Sequence, residues 1–398
     1  MRVAAKASLS QQKKEHLRCS LVIMNFNEIA DLAVWPVMAF LFGATIGSFL
    51  NVVIYRIPLG MKVSHPKRSF CPICNKDIPW YRNIPLLTWV LQRGKCAECG
   101  APIAFRYFLV ETLTGGLFVA AWMSLTAPVP AVFFLMALCV LLVVVSFIDA
   151  EHMLIPLKFV YAGMLIGIIG AIVAPALIFF GDSVPDAPSW FGGGQALLGL
   201  LVGWCGLGLV VIIGKYFFGD KKMQFEEKAE SWKLREPTND EEELRFVVGE
   251  EQIDWSEIFY RKKDRIEVDL QEVLLNGKTI KAEKLVVLSN RVILDAEEFM
   301  IADIESLEGK ANKVVIPREV MGGGDPPLLG MLGAFFGWQA VIFILFLSSI
   351  YALIAALLGR VGFGRQLPFG PFLALSGLTW AFGGWKLWEM YLRYAGLL

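Results

Sequence analysis

Long uncharged runs dominate the hydrophobic pattern of this chain. Residues 32–55, 112–148, 159–181, 187–214, 326–359 and 366–385 contain no Asp, Glu, Lys or Arg. Each is at least as long as the ~20 residues a helix needs to cross the hydrocarbon core of a bilayer. The run 112–148 is long enough for two helices, and Pro128 and Pro130 divide it into a hairpin. The 34 residues between Asp325 and Arg360 are too many for one crossing and predict two short helices bent near Gly337-Trp338. The pattern therefore predicts a polytopic α-helical membrane protein with about eight transmembrane helices.

Two stretches break that pattern. Residues 56–105 and 219–320 are rich in charge. The second opens with "DKKMQFEEKAESWKL", which reads as a short helix, and continues through a loop at "REPTNDEEE". Beyond it, "RIEVDLQEVLLNGKTI" alternates apolar and polar positions around Asn276-Gly277, a hairpin turn pair. With "KLVVLSNRVIL" and "NKVVIP" as further strands, the expectation is a small β-rich domain of roughly five strands. Its acidic excess reads as a solvated surface.

Composition agrees with the membrane class: 56% of the 398 residues are hydrophobic and mean hydropathy is +0.56, outside the range of an ordinary soluble domain. Charge then orients the chain. The loop after the first span holds Arg56, Lys62, Lys67, Arg68, Lys76, Arg82, Arg93, Lys95 and Arg106, while the loops near Pro128 and Asp182 hold no Lys or Arg. Positive residues mark the cytosolic side. The loop at 56–105 and the insertion at 219–320 are thus predicted to be cytosolic, and both chain ends external. The basic segment 1–23, ahead of a second methionine at Met24, contradicts that orientation and reads as a disordered or non-native extension. The predicted organisation is this extension; a first transmembrane helix at 32–55; the cytosolic module at 56–105; helices two to five within 106–218; the β-rich insertion at 219–320; and the last three helices within 321–398.

The first module carries Cys71-x2-Cys74 and, after 21 further residues, Cys96-x2-Cys99. Four such thiolates can close a tetrahedron around zinc, as in a zinc ribbon. Two disulfides are the alternative, disfavoured in a reducing cytosol. A site with four protein ligands leaves no open position for water, so the metal would be structural. Cys19, Cys139 and Cys205 have no such pairing and read as small apolar fillers.

Two acids stand at predicted cytosolic helix ends: Asp149 in "SFIDAEHMLIP" and Asp325 in "GGGDPPLL". Ionisable groups beside hydrocarbon are costly and point to function. A headgroup-solvated boundary residue is the plainer reading of Asp149, and a helix N-cap before Pro326 that of Asp325. Yet a cap does not require Gly322, Gly323 and Gly324 before it, and that run at a membrane interface suggests that another chain must pass close by. Two carboxylates meeting in a partly dry site would share a proton, one acting as base towards water and the other as acid towards a peptide.

These residues resemble the prepilin peptidases, membrane aspartic proteases of type IV pilus and type II secretion systems within the Gly-x-Gly-Asp group. The resemblance rests on "GATIGSFLNVVIYRIP", the two Cys-x-x-Cys pairs, "FIDAEHMLIP", "GGGDPPLLGMLGAFFGW" and "FGPFLALSG". It implies catalytic Asp149 and Asp325, an active-site loop at Gly322–Gly324, prepilin or pseudopilin substrates cleaved at the cytosolic face of the bacterial inner membrane, and no nucleic-acid partner. It also implies S-adenosylmethionine-dependent N-methylation of the product, with Glu111 in "FRYFLVE" either serving that activity or making a polar contact. Three departures accompany it: Pro327 where the family usually has Lys, Leu157 where many members have an acid, and the insertion at 219–320. A non-catalytic membrane scaffold of a pilus or secretion apparatus is the alternative. A transporter, which would place ionisable groups near the bilayer midplane, fits less well.

Overall fold

The structure, a computed structural model, describes residues 26–66, 68–124, 129–178, 188–225, 229–235, 244–249, 251–259, 264–317, 322–359 and 367–396. The extension at 1–23, Cys19, Pro128 and the loops around Asp182 and at 360–365 lie outside them. The chain divides into two compact units, residues 1–207 with 322–398, and residues 208–321.

The first unit is helical. Its elements are α1 (Phe26–Arg56), the short α2 (Leu87–Leu91), α3 (Phe105–Met123), α4 (Val129–His152), α5 (Leu157–Val173), most of α6 (Ser189–Phe218), α8 (Asp325–Leu358), α9 (Gly370–Thr379) and α10 (Trp385–Tyr394). Four of them, α1, α4, α6 and α8, are long and apolar enough to cross a membrane, and α5 is a shorter apolar helix. The chain is a multi-pass membrane protein.

Lipid offers no hydrophobic drive for helix association, so close backbone approach must supply the contact. Three pairs of glycines, each one helical turn apart, provide it. A Cβ on Gly43 or Gly47 of α1 would fall 2.8 Å from Thr114 O or from Glu111 Cα of α3. On Gly163 and Gly167 of α5 it would strike the Met331 and Phe335 side chains of α8. On Gly199 or Gly203 of α6 it would lie 2.2 Å from Gly333 O or 2.7 Å from Leu329 O.

The expected bend near Gly337-Trp338 is present: Gly337 has φ +79° inside α8, a conformation open to glycine and costly for other residues. Every residue from Asp325 to Gly337 is buried, whereas Ile342, Phe346 and Leu353 beyond the bend are exposed. The predicted last span differs from expectation. α9 ends after 10 residues in a π turn at Trp380–Gly384, where Gly383 has φ +131°, and amphipathic α10 follows.

Asp325 is also not the N-cap. That position belongs to Gly324, and Asp325 is the first helical residue. The reason lies downstream: Pro327 has no N–H to offer a capping carboxylate, and the Leu328 N–H is already donated to Gly324 O at 3.1 Å.

Among its described residues the second unit has ten antiparallel strands rather than roughly five: β1 (Lys221–Gln224), β2 (Glu230–Arg235), β3 (Arg245–Val248), β4 (Glu251–Asp254), β5 (Ile266–Leu275), β6 (Lys278–Ile280), β7 (Lys284–Val287), β8 (Arg291–Leu294), β9 (Glu297–Met300) and β10 (Leu307–Ile316), with a one-turn helix α7 (Trp255–Ile258) after β4. The order is β4-β3-β2-β10-β5-β7-β8-β9, with β1 also on β10 and β6 also on β5. The segment read as a helix at 220–234 instead supplies β1 and β2, because pairing with β10 and burial of Trp232 outweigh weak helical propensity. Asn276 and Gly277, at φ +49° and +74°, turn β5 into β6 as their sequence predicts.

Long β5 and β10 keep their apolar side chains on one face only because each carries a bulge. Leu270 pairs with Ala311 and Glu272 with Lys310, leaving Gln271 unmatched; Asp269 pairs with Lys313, leaving Asn312 unmatched. Each extra residue resets the alternation, so Val268 and Val273, and Ala311 and Val314, all enter the core.

Candidate active site and metal centre

Three helix ends converge on the two acids. Asp149 lies in the last turn of α4 and Asp325 opens α8; they are 5% and 3% exposed. The first residue of α9 completes the group: the Gly370 N–H donates to Asp149 Oδ2 at 2.9 Å. An unsatisfied N–H at a helix start suits a carboxylate both as a donor and through the helix dipole. Ile155, in the link from α4 to α5, fills the space between these ends. A Cβ on Gly324 would meet Ile155 Cβ at 2.5 Å, and one on Gly370 would meet Ile155 Cδ1 at 3.3 Å and Asp149 Oδ2 at 2.7 Å. Asp149 lies close enough to act electrostatically on Asp325.

The two carboxylates differ in how they are satisfied. Asp149 has its helix-end donor, whereas Asp325 Oδ1 is buried without a hydrogen-bond partner. Leaving a buried acceptor unpaired costs on the order of 1–3 kcal/mol, so such a group calls for a bound proton, water or substrate donor. Of the predicted glycines, Gly322 borders Asp325: its Cβ position is 3.0 Å from Oδ2, and its carbonyl accepts the Asp325 N–H at 3.2 Å. Gly324 makes room for Ile155, and Gly323 is exposed. Sequence reasoning did not single out Gly370 or Ile155. The signal for Gly370 was the Phe369-Gly370-Pro371 triplet, which marks a helix start by placing proline inside the first turn.

The four predicted cysteines form a second centre. Their sulfurs all lie within 4.8 Å of one another, Cys71 and Cys99 at 3.9 Å, and none is in a disulfide. A tetrahedral zinc with ~2.3 Å bonds to sulfur needs sulfurs ~3.8 Å apart, so the set fits such a metal. The two Cys-x-x-Cys pairs fold alike. Asn75 N donates to Cys71 O, and Gly100 N donates to Cys96 O, from residues at φ +55° and +72°. Cys71 N donates to Lys76 O and Cys96 N to Ala101 O. Glu98 joins the halves through ion pairs with Lys76 at 3.1 Å and Arg82 at 2.9 Å.

N–H groups of Cys99 and Glu98 donate to the Cys96 sulfur and lower its pKa to about 7. Cys99 moves the other way, up to about 11: the Ala101 N–H lowers it, but burial and the three neighbouring sulfurs outweigh that donor. Four sulfurs gathered this closely offer a ready ligand set for a divalent cation.

Arg56, at the end of α1, anchors this module. It is 3% exposed and donates to Val63 O at 2.7 Å, Pro66 O at 2.8 Å and Arg68 O at 3.2 Å. Glu111, 7% exposed on α3, accepts the Leu86 N–H at 2.7 Å. A cavity of about 570 Å³ opens between the cysteine module and the ends of α1, α3 and α4.

Comparisons with known proteins bear on the same segments. Residues 41–125 match the family model described as Bacterial Peptidase A24 N-terminal domain, and residues 292–357, which include Asp325, match that of the Type IV leader peptidase family. A "Prepilin leader peptidase/N-methyltransferase" of Myxococcus xanthus is 45% identical over 139 residues, 34% of this chain and 39% of that protein. The protein of the same description from Klebsiella pneumoniae is 41% identical over 141 residues, 33% of this chain and 61% of its own length. That of Aeromonas hydrophila is 28% identical over 390 residues, covering 89% of this chain and 93% of that protein. No solved structure matches the chain. Two stretches of the chain are thus similar to this family's N-terminal and peptidase models, and the more identical relatives are matched over only part of their length.

Proposed function

We propose that the protein is a membrane aspartic endopeptidase of the bacterial inner membrane that removes the leader from type IV prepilins or pseudopilins at the cytosolic face, and then N-methylates the new N-terminus. The observation that carries the proteolytic reading is the convergence of Asp149 and Asp325 at three helix ends, one oxygen satisfied by a helix N–H and another buried and unpartnered.

In this reading the ionised carboxylate takes a proton from a water as that water attacks the scissile carbonyl. The other, carrying the shared proton, delivers it to the departing amide nitrogen. The Gly370 N–H orients Asp149 throughout, and Gly322 and Gly323 leave backbone exposed where an extended leader can lie. An apolar pilin helix would rest among the spans. Pro327 leaves the position after the second aspartate's neighbour without the cation common in the family.

The four cysteines would hold a structural zinc, consistent with their spacing, their free state and their crowding. A count of eight would need α1, α3, α4, α5, α6, the two halves of α8, and α9 continued through its π turn to cross; α9 by itself, at 10 residues, is too short to do so. The methylation reading is supported by the descriptions of the relatives; its S-adenosylmethionine would supply the methyl group.

The test is incubation of purified protein with a model prepilin and S-adenosylmethionine, followed by mass measurement. The expected product lacks the leader and gains one methyl group. An intact substrate at all enzyme concentrations supports the scaffold alternative instead.

A further inference from the structure

We propose that α2, the short helix of the cysteine module, is a wedge seated in the lipid leaflet at the Arg56 end of α1, with Leu87, Val90 and Leu91 among acyl chains and Arg93 and Lys95 at anionic headgroups. Depth carries the first part of the argument. The uncharged residues 32–55 of α1 run between Asp31 and Arg56 and are just enough to cross the hydrocarbon core, so Arg56 marks one edge of it. Gly47 precedes Arg56 in the same helix by about 13 Å at a rise of ~1.5 Å per residue. Glu111 of α3 packs at that level, its Cα 2.8 Å from the Cβ position of Gly47. The Leu86 N–H, immediately ahead of α2, donates to the Glu111 carboxylate at 2.7 Å. A glutamate side chain reaches only a few ångströms, so α2 starts on the hydrocarbon side of Arg56 although it belongs to a loop rich in charge.

The helix is also fixed with one face outward. Trp89 faces inward: its Nε1 donates to Ile103 O at 3.3 Å, and its ring packs on those of Phe105 and Phe108 at centroid distances of 5.7 and 5.2 Å. The Thr88 hydroxyl accepts the Ile84 N–H at 3.0 Å. Leu86 is held at φ +61°, a strained conformation for leucine that persists only where its surroundings impose it. Left on the outer face are Leu87, Val90 and Leu91, at i, i+3 and i+4, which are 51%, 55% and 72% exposed. Three large apolar side chains held rigidly outward are costly in water and at home in lipid.

The surroundings of this face identify its partner as the bilayer. Through the ring contact of Trp89 with Phe105 it adjoins Phe105, Leu109 and Leu113 of α3, an exposed apolar stripe at helical spacing on a helix that packs along spanning α1. Arg93 and Lys95 follow α2 directly; both are exposed, and among the described residues neither forms an ion pair. Apolar side chains on a short helix followed by free cations match acyl chains below and phosphates above.

The experiment reconstitutes the full-length protein in nanodiscs of phosphatidylglycerol and phosphatidylcholine, with a trace of either lipid carrying a photoreactive acyl chain, and maps the adducts by peptide mass. Adducts are expected on the peptide containing Leu87, Val90 and Leu91, as on those containing Phe346 and Leu353, exposed side chains of spanning α8. In wild type the α2 peptide should take about tenfold more label from the anionic probe than from the zwitterionic one. Arg93→Gln combined with Lys95→Gln should level the two, with a thermal melt confirming the fold. An unlabelled α2 beside labelled Phe346 and Leu353, or cross-links from α2 to a second copy or to an added prepilin in place of lipid adducts, overturns the proposal. Equal label from the two probes in wild type overturns the headgroup contact.

Discussion

The carboxylate pair and the cysteine cage are both polar centres in one helical unit, yet they are built on opposite principles. The cage is local: 29 residues hold all four ligands, each pair sits in its own backbone turn, and Glu98 ties the halves together. The carboxylates are separated by 176 positions in sequence and meet only because three helix ends do. The cage arranges its sulfurs for a single guest. The carboxylate site keeps Asp325 Oδ1 buried and unpaired. A closed ligand set suits stability, whereas an unsatisfied buried acceptor suits a reaction that supplies the missing partner.

That contrast can be broken by substitution. Asp149→Asn and Asp325→Asn should each reduce leader cleavage about 10³-fold or more, the scale of losing a general acid or base, with the protein still folded in the membrane. Cleavage near the wild-type rate in either variant would sink the dyad. Gly370→Ala should cost about 100-fold, because its Cβ would stand 2.7 Å from Asp149 Oδ2 and displace that oxygen. A rate within twofold of wild type would show that the α9 start does not position Asp149.

Cys71→Ser should lower bound zinc well below one equivalent and reduce Tm by several degrees; metal analysis and a thermal melt would check both. The smallest effect is expected at Glu98→Gln. Exposed ion pairs contribute little, so metal content should hold and Tm should move by no more than about 2 °C.

The same contrast explains what the sequence disclosed. Uncharged runs and Cys-x-x-Cys spacing are one-dimensional signals, and they led directly to the apolar helices and the cysteine cluster. Asn276-Gly277 likewise encodes its own turn. The role of Gly370 in holding Asp149 is a contact across 221 positions, invisible to any local pattern. Strands β1 and β2 were masked for a related reason: charged residues with helical propensity take strand form only because β10 is there to pair with them. Asp325 looked like a cap because the prolines after it mark a helix start, but those prolines also bear on which N–H groups a cap could use.

The bend at Gly337 gives α8 two different solvents. Before it, residues from Asp325 onward are surrounded by protein, so a changed methyl group there is felt as it would be in a tightly packed globular interior. After it, Phe346 and Leu353 face outward, where one oily side chain can replace another at little cost. Drift in this helix over evolutionary time should therefore be lopsided, slow on the side that carries the acid and fast on the side that meets fatty acyl chains.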